Sequence, residues 1–562
     1  LAWAYIERGH VTRILVVGGA GVFGSRLVEG LAATTDCFII IAGRDLSRCE
    51  SAAEAVRARH PAARIETAAI DTRSITSADI RAISPAIVID AAGPFQAAEP
   101  HLAKAAILAG CDYIDLADAR DFVGRFHMLD IDAKAAGVVA VAGMSSTPAL
   151  SHAVLDDLTA GWRRIDRAEA GISPGNRAPR GLSVITAILA WVGQPVNVFI
   201  GGSWTSRRGW SGTVRRSIGE LGSRPLALAE TPDLDLLEAR FKPRDAAIFR
   251  AGLELGILHY GLASVAWFGR ARNLAFLAPA VRFLADIFKP FGTDRGGMLV
   301  EAAGRDAQNR PTFASWNLVA EAGAGPYVPT LPALALVRVL VDRRDTIQAG
   351  AHTGAGLLSL NLIAAEFIRH RIRTATATTQ PVAPSEAALG DRFNLLPEPV
   401  KAAHRAGPTT WLSGTARVEG AQSAIGSLFA RLFRFPAPSE RVAVRVVMRL
   451  HPDGSESWER DFGGRRFASR LMPAGKDRIT ESFGPFTFDV AVGAGPSELT
   501  MRVVGWRLGK LRLPTWLAPR SDAREYAGED GRFSFDVPIA VPLLGRLVRY
   551  RGALSLTGCE QN

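Results

Sequence analysis

Residues 13–31 read RILVVGGAGVFGSRLVEGL. An apolar run, ILVV, leads into glycines at 18, 19, 21 and 24, and a helical period follows in FGSRLVEGLAA. Gly19, Gly21 and Gly24 form G-x-G-x-x-G at a strand-to-helix turn. The expected roles are separable: Gly19 permits the tight turn, Gly21 lets backbone approach a pyrophosphate, and Gly24 lets the helix pack against the strand. Val22 and Phe23, the first helical residues, would offer their N–H groups and the positive helix end to phosphates. The pattern alone is weak, because glycine-rich turns also serve packing. Here it opens a series of βα units, and that context points to dinucleotide binding. No G-K-[ST] follows, which argues against a phosphate-hydrolysing P-loop.

Around this turn, short Val/Ile-rich runs alternate with amphipathic segments: ILVVG, CFIIIAG, RIETAAI, AIVIDAAG, DYIDLA and VVAVAG. The alternation predicts an α/β chain with an N-terminal, doubly wound Rossmann domain over 11–160. Residues 161–373 mix strands with longer helices and read as a second, α+β domain for substrate or dimerisation, its last helices packing back on the first. Residues 374–390, TATATTQPVAPSEAALG, lack helical period and read as a linker. Residues 391–562 read as a mostly-β domain. RVAVRVVMRL places Val442, Val444, Val446, Met448 and Leu450 on one face and Arg441, Arg445 and Arg449 on the other. Such strands suit a closed barrel with a ligand cavity as well as a solid sandwich.

The choice of dinucleotide follows from the end of the second strand, FIIIAGRDLSR. An NAD site usually offers an acid there for the ribose 2′-OH, whereas this chain has Gly43 and Arg44. A guanidinium suits a 2′-phosphate, so NADP is favoured over NAD, with Arg48 in support. The rival reading gives Asp45 the ribose. Asp71 is a candidate contact on the adenine side. In AAGPFQ, Gly93 and Pro94 bend the chain and Phe95 is expected to offer the nicotinamide a flat wall.

VVGGAGVFGSRL, IAGRD, DAAGPF, CDYIDLAD and AGMSSTPALS resemble, in order and spacing, the saccharopine dehydrogenase-like oxidoreductases. GPYVPTLPALALVRVL and GAHTGAGLLSLNLIAAEF extend the resemblance to about residue 371. It implies a Rossmann domain, NAD(P) chemistry and a smaller mixed domain closing over the nicotinamide. The last 170 or so residues, through WERDFGGRRFASRL and GRFSFDVPIAVPLLGRLVRYRGAL, resemble a bacterial domain of unknown function appended to such modules.

For a proton source the strand ends offer Tyr113, Asp115 and Ser145, with Ser146 and His152 nearby. The resemblance places Asp115 and the GMSST loop beside the cleft. No tyrosine has lysine four residues on, which disfavours short-chain dehydrogenase chemistry. GISPG matches G-x-S-x-G, but Pro174 follows the serine and lacks the oxyanion-hole N–H. The four cysteines, Cys37, Cys49, Cys111 and Cys559, have no metal-ligand spacing and suit a reducing cytoplasm, so no metal is expected. The net charge is +11, yet basic residues are interleaved with acidic ones, and no nucleic-acid partner is expected. Two apolar stretches, 255–269 and 274–288, are too short to span a bilayer. They read as buried or homodimer-forming helices, or else as an interfacial pair beside Arg270, Arg272 and Lys289.

The whole predicts a small-molecule oxidoreductase using NADP on an imine, ketone or activated alkene, with a lipid-like substrate suggested by the apolar helices. The alternatives are a non-catalytic NADP-binding sensor or scaffold, and a peripheral membrane protein.

Overall fold

In the computed structural model, residues 11–179, 181–268, 273–342, 346–405 and 407–557 are described. Cys559, Arg270 and Arg272 lie outside them. The chain divides into two compact units, one of residues 1–160, 167–302 and 314–377, the other of 161–166, 303–313 and 378–562.

The six Val/Ile runs of the N-terminal region are all strands: β1 Arg13–Val17, β2 Phe38–Gly43, β3 Arg64–Ala69, β4 Ile87–Asp90, β5 Asp112–Asp115 and β6 Val139–Ala142. A seventh, Gly350–Thr353, pairs with β6. The order is 350–353, β6, β5, β4, β1, β2, β3, and every pairing is parallel. Parallel strands covered on both faces must be apolar throughout. Ile14, Leu15, Val16, Ile39, Ile41 and Ile89 accordingly have no exposed surface, and each contributes about 1.5–3 kcal/mol by burial. The strand order reverses between β1 and β4, so a crevice opens at their carboxyl ends. Helix α1, Val22–Thr34, leaves β1 through the glycine turn, and α2, Leu46–Arg59, follows β2.

The region after 160 builds a nine-stranded mixed sheet with central strands 246–251, 164–173, 296–305 and 311–320. The stretch 374–390, expected as a linker, is regular structure: Ile372–Thr379 is a strand of this sheet and Pro384–Leu389 a short helix. Alternating threonines are β-branched and favour extended backbone, which outweighs their loop-like polarity. The apolar stretches form helices Gly256–Phe268 and Ala278–Phe288. They are not the buried helices expected, because Ile257, Trp267, Phe283 and Ile287 are exposed. No helix among the described residues is long and apolar enough to cross a membrane.

The C-terminal strands form an antiparallel sheet in which 486–494 pairs with both 478–483 and 498–508, closing a barrel. Val444, Val446, Met448 and Leu450 point inward, as the alternation predicts, and Arg441 and Arg445 outward. The interior is filled by aromatic rings, Phe462, Phe467, Phe535 and Tyr550 among them, with Tyr550 5.2 Å from Phe462.

Candidate active site at the carboxyl ends of β1 and β4

A cleft of 1180 Å³ lies at the switch point. Its floor is the glycine turn. Gly18, rather than Gly19, makes the tight bend: its φ is +79°, and a Cβ there would sit 2.7 Å from the Ala91 carbonyl. Gly19 and Gly24 lie behind the lining and serve packing, a correction to Gly19's expected role. Gly21, Val22 and Phe23 face the cleft at the start of α1, which has no side-chain cap and no acid in its first turn. The first N–H groups of α1 therefore have no acceptor within the helix. An uncapped helix end over an open cleft fits a pyrophosphate.

Gly24 is the tightest point of this floor. A Cβ on it would meet the Gly18 oxygen at 2.1 Å and Gly19 Cα at 2.9 Å, so the turn must move away from α1. Gly24→Ala is expected to cost about 1–3 kcal/mol through overpacking and to weaken dinucleotide binding. Thermal melting with nicotinamide-fluorescence titration checks both; unchanged binding would assign the turn to packing alone.

At the end of β2, Arg44 and Arg48 are exposed and line the cleft, and Arg44 stands near enough to Asp71 to help hold its carboxyl down. Asp45, the rival for the ribose, is committed to α2, where its Oδ1 caps the Arg48 N–H at 3.2 Å. Asp71 also lines the cleft. Arg73 grips both its oxygens, at 3.1 and 2.9 Å, and holds its carboxyl down at about 2. Gly93 and Pro94 border the cleft, but the Phe95 ring is buried and packs on Phe122 at 5.3 Å, so little of the expected flat wall is exposed.

The expected proton donors fare differently. Asp115 is fully buried and off the cleft; its Oδ1 accepts N–H bonds from Ala117 at 2.9 Å and Gly143 at 2.7 Å. It ties the ends of β5 and β6 together, and burial raises its pKa to about 7. Tyr113 touches the cleft, yet the residue is buried. Its hydroxyl faces Asp90 and Asp115 without completing a hydrogen bond of ordinary geometry. Burial and these two acids drive its pKa well above 10, so it stays protonated near neutrality. Ser145 is buried and, like Ser146, away from the cleft. His152, the other candidate nearby, does not line the cleft. It is fully buried, accepts from Arg240 at 2.9 Å, and lies 3.6 Å from Asp233.

Of the acids that line the cleft, two stand at or just beyond the carboxyl ends of β4 and β5. Asp90, at the end of β4, is mostly buried, accepts from the Ala92 N–H at 2.8 Å, and is raised by burial to about 6. Asp118, beyond β5, is exposed in the cleft and receives Gln96 Nε2 at 3.2 Å. Although exposed, its carboxyl is screened from bulk water by the cleft walls, which raise its pKa. The opposite wall comes from Asn176, from helix Leu182–Trp191 through Leu182 and Ile185, from helix Ala278–Phe288 through Arg282, and from Lys289 just beyond it. The described residues hold no group of three metal-ligating side chains.

A parallel sheet with its glycine turn at the switch point, an open helix end and two arginines after β2 defines a module of the dinucleotide-binding class. Residues 14–141 match the family model of the saccharopine dehydrogenase NADP binding domain, and residues 396–554 match a domain of unknown function, DUF4166. The chain thus carries a saccharopine dehydrogenase-type NADP-binding domain at one end and a DUF4166 domain at the other. No curated protein matches it in sequence. Solved structures similar to it include apo saccharopine dehydrogenase (L-Glu forming) from Saccharomyces cerevisiae, 12% identical with a TM-score of 0.49, over 65% of this chain and 100% of that one. Another is UDP-N-acetylglucosamine 3-dehydrogenase GnnA from Acidithiobacillus ferrooxidans, 14% identical with a TM-score of 0.30, over 64% of this chain and 97% of that one. GenD2 from gentamicin A biosynthesis, in complex with NAD, is 15% identical with a TM-score of 0.27, over 55% and 75%. At these identities and scores the structural likenesses carry no functional weight.

Proposed function

We propose that the chain is an NADP-dependent oxidoreductase acting on an imine, ketone or activated alkene with an apolar body. When bound, the nicotinamide supplies or accepts the hydride. The amides of Gly21, Val22 and Phe23 hold the pyrophosphate, and Arg44 and Arg48 take the 2′-phosphate. Gly93 and Pro94 border the nicotinamide's place. Asp118, positioned by Gln96, gives a proton to the reduced group or takes one from the group being oxidised. Leu182 and Ile185 exclude water from the reacting carbon. The NADP family model supports a nicotinamide cofactor, and one observation carries the preference for NADP: the Arg44 guanidinium, with Arg48 in the helix that follows, stands in the cleft where an NAD site needs an acid, while the nearest acid, Asp45, caps that helix.

Titration with NADPH and NADH, followed by nicotinamide fluorescence, tests this reading. Arg44→Ala is expected to raise the Kd for NADPH about ten- to hundredfold, the worth of a charge-assisted hydrogen bond, and to leave NADH unaffected. Equal effects on the two dinucleotides would reassign the 2′-phosphate site; no binding of either would overturn the oxidoreductase reading.

A further inference from the structure

Helix Ala278–Phe288 has two unlike faces. Arg282, Ala285, Asp286 and Lys289 line the cleft. At about 100° per residue, Phe276, Phe283, Ile287 and Phe291 fall on the opposite side, running through the short turns at either end of the helix. Three of these side chains, with Trp267 of helix Gly256–Phe268, are each 70–73% exposed. Ile257, Tyr260 and Val265 extend the apolar surface of that second helix. Both helices pack through Ala266, Ala278 and Val281 on one small buried cluster, leaving these larger side chains outside. Exposed apolar surface on this scale marks an interaction site.

The surrounding charge says what covers it. Arg208 donates to the Trp267 carbonyl at 2.9 Å and stands 5.9 Å from the Trp267 ring; Arg177 donates to the Pro290 carbonyl at 3.1 Å. Neither has a carboxylate partner among the described residues, whereas Arg224 and Arg250 of the same region are each paired with a glutamate. Asp286 is the single acid of helix Ala278–Phe288, and it faces the cleft. A second copy would bring the same guanidinium groups toward one another across an isologous contact. Anionic headgroups would neutralise them while the rings entered the acyl boundary. The helices, at 13 and 11 residues, are too short to span and long enough to lie in the interface.

We propose that this apolar face docks on an anionic lipid bilayer, so that an apolar substrate passes from the membrane along helix Ala278–Phe288 into the adjoining cleft. The route for substrate rests on the oxidoreductase reading; the docking does not.

Flotation of the full chain with phosphatidylcholine vesicles, with and without about 30% phosphatidylglycerol, tests it, with NADPH titration run on the same preparations. The expected result is binding to the anionic vesicles, weakened about fivefold by Arg208→Glu or Arg177→Glu and by salt, and abolished by Phe283→Glu with Ile287→Glu. NADPH binding persists in each variant and reports that the fold is intact. Flotation that survives the Phe283/Ile287 change, or a wild-type chain that binds NADPH but no vesicle, would overturn the proposal. So would a concentration-dependent dimer dissolved by the same change, which would assign the face to a second copy. Loss of NADPH binding in wild type with flotation retained would sink the oxidoreductase reading and leave the docking standing.

Discussion

Asp118→Asn is expected to lower the turnover of NADPH with its substrate about 10²–10⁴-fold, the usual worth of a positioned acid or base, and to leave NADPH affinity unchanged. Asp118 combines exposure to the cleft, a pKa raised by the cleft walls, and a fixed orientation through Gln96. In the reducing direction the protonated carboxyl is the working form, so the rate falls as pH rises through its pKa. Because that pKa is raised, the fall comes closer to neutrality than it would for a free aspartate near 3.9. Asparagine has no proton to lose, and the residual rate should lack this descending limb. Asp90 is the competing group, since it also borders the cleft and titrates at about 6. Its oxygen is engaged by the Ala92 N–H, however, and Asp90→Asn is expected to keep the limb. Rates of NADPH oxidation against apolar enones, ketones and imines, recorded as pH profiles for both variants, decide between them. A limb lost from Asp90→Asn and kept in Asp118→Asn would move the role to Asp90.

What sequence revealed and hid here follows the range of the interactions involved. β1, β2, β4 and β6 were legible because each is a Val/Ile/Ala run, and a strand buried on both faces has little compositional freedom; β3, at the sheet edge and partly exposed, was legible from its place in the βα alternation. Arg44's place in the cleft lining was legible because it depends only on a local offset from β2. Asp115 misled: an acid at a strand end signals a site, but sequence does not say whether the carboxyl turns toward the cleft or toward the amides of the next strand. Here it takes Ala117 and Gly143, as Asp112 takes Val139, and an acid exposed in the cleft stands three residues further on. Gly18 was hidden by the very match of Gly19 to the motif. The far wall of the cleft, from Asn176 to Lys289, is assembled by contacts some hundred residues apart in sequence, which no local pattern encodes. The strand at 372–379 was missed because exposed threonines resemble a loop in composition while favouring extended backbone.

In the second unit, His404→Leu is expected to cost about 3–5 kcal/mol of stability, because it leaves a buried carboxylate without its counter-charge. The histidine sits between Ser385, 3.1 Å from Nδ1, and Glu525, 2.7 Å from Nε2, and all three are buried. The order Ser, His, Glu is that of a hydrolase triad. With Ser385 only 5% exposed and on Nδ1, it is built for cohesion rather than nucleophilic attack. Burial opposes the charge on His404, but Glu525, then Glu456 and Glu386, outweigh it and raise the pKa. Both ring nitrogens then donate, and the cation is satisfied. Since the folded pKa lies above the unfolded value near 6.5, the stabilisation is complete below about pH 6.5 and is lost as pH rises through the elevated pKa. Glu456, whose own pKa burial raises, acts in the same sense. Calorimetry of the full chain is expected to show the barrel melting at lower temperature as pH rises above that range. His404→Leu should lower and flatten the dependence, and His404→Leu with Glu525→Leu should recover most of the loss, because a well-packed apolar pair replaces a buried ion pair at little cost. A wild-type melting temperature independent of pH across this range, or a double variant no more stable than the single one, would show that the pair is not what holds the helix Glu398–Arg405 to the barrel strand Asp522–Ala527.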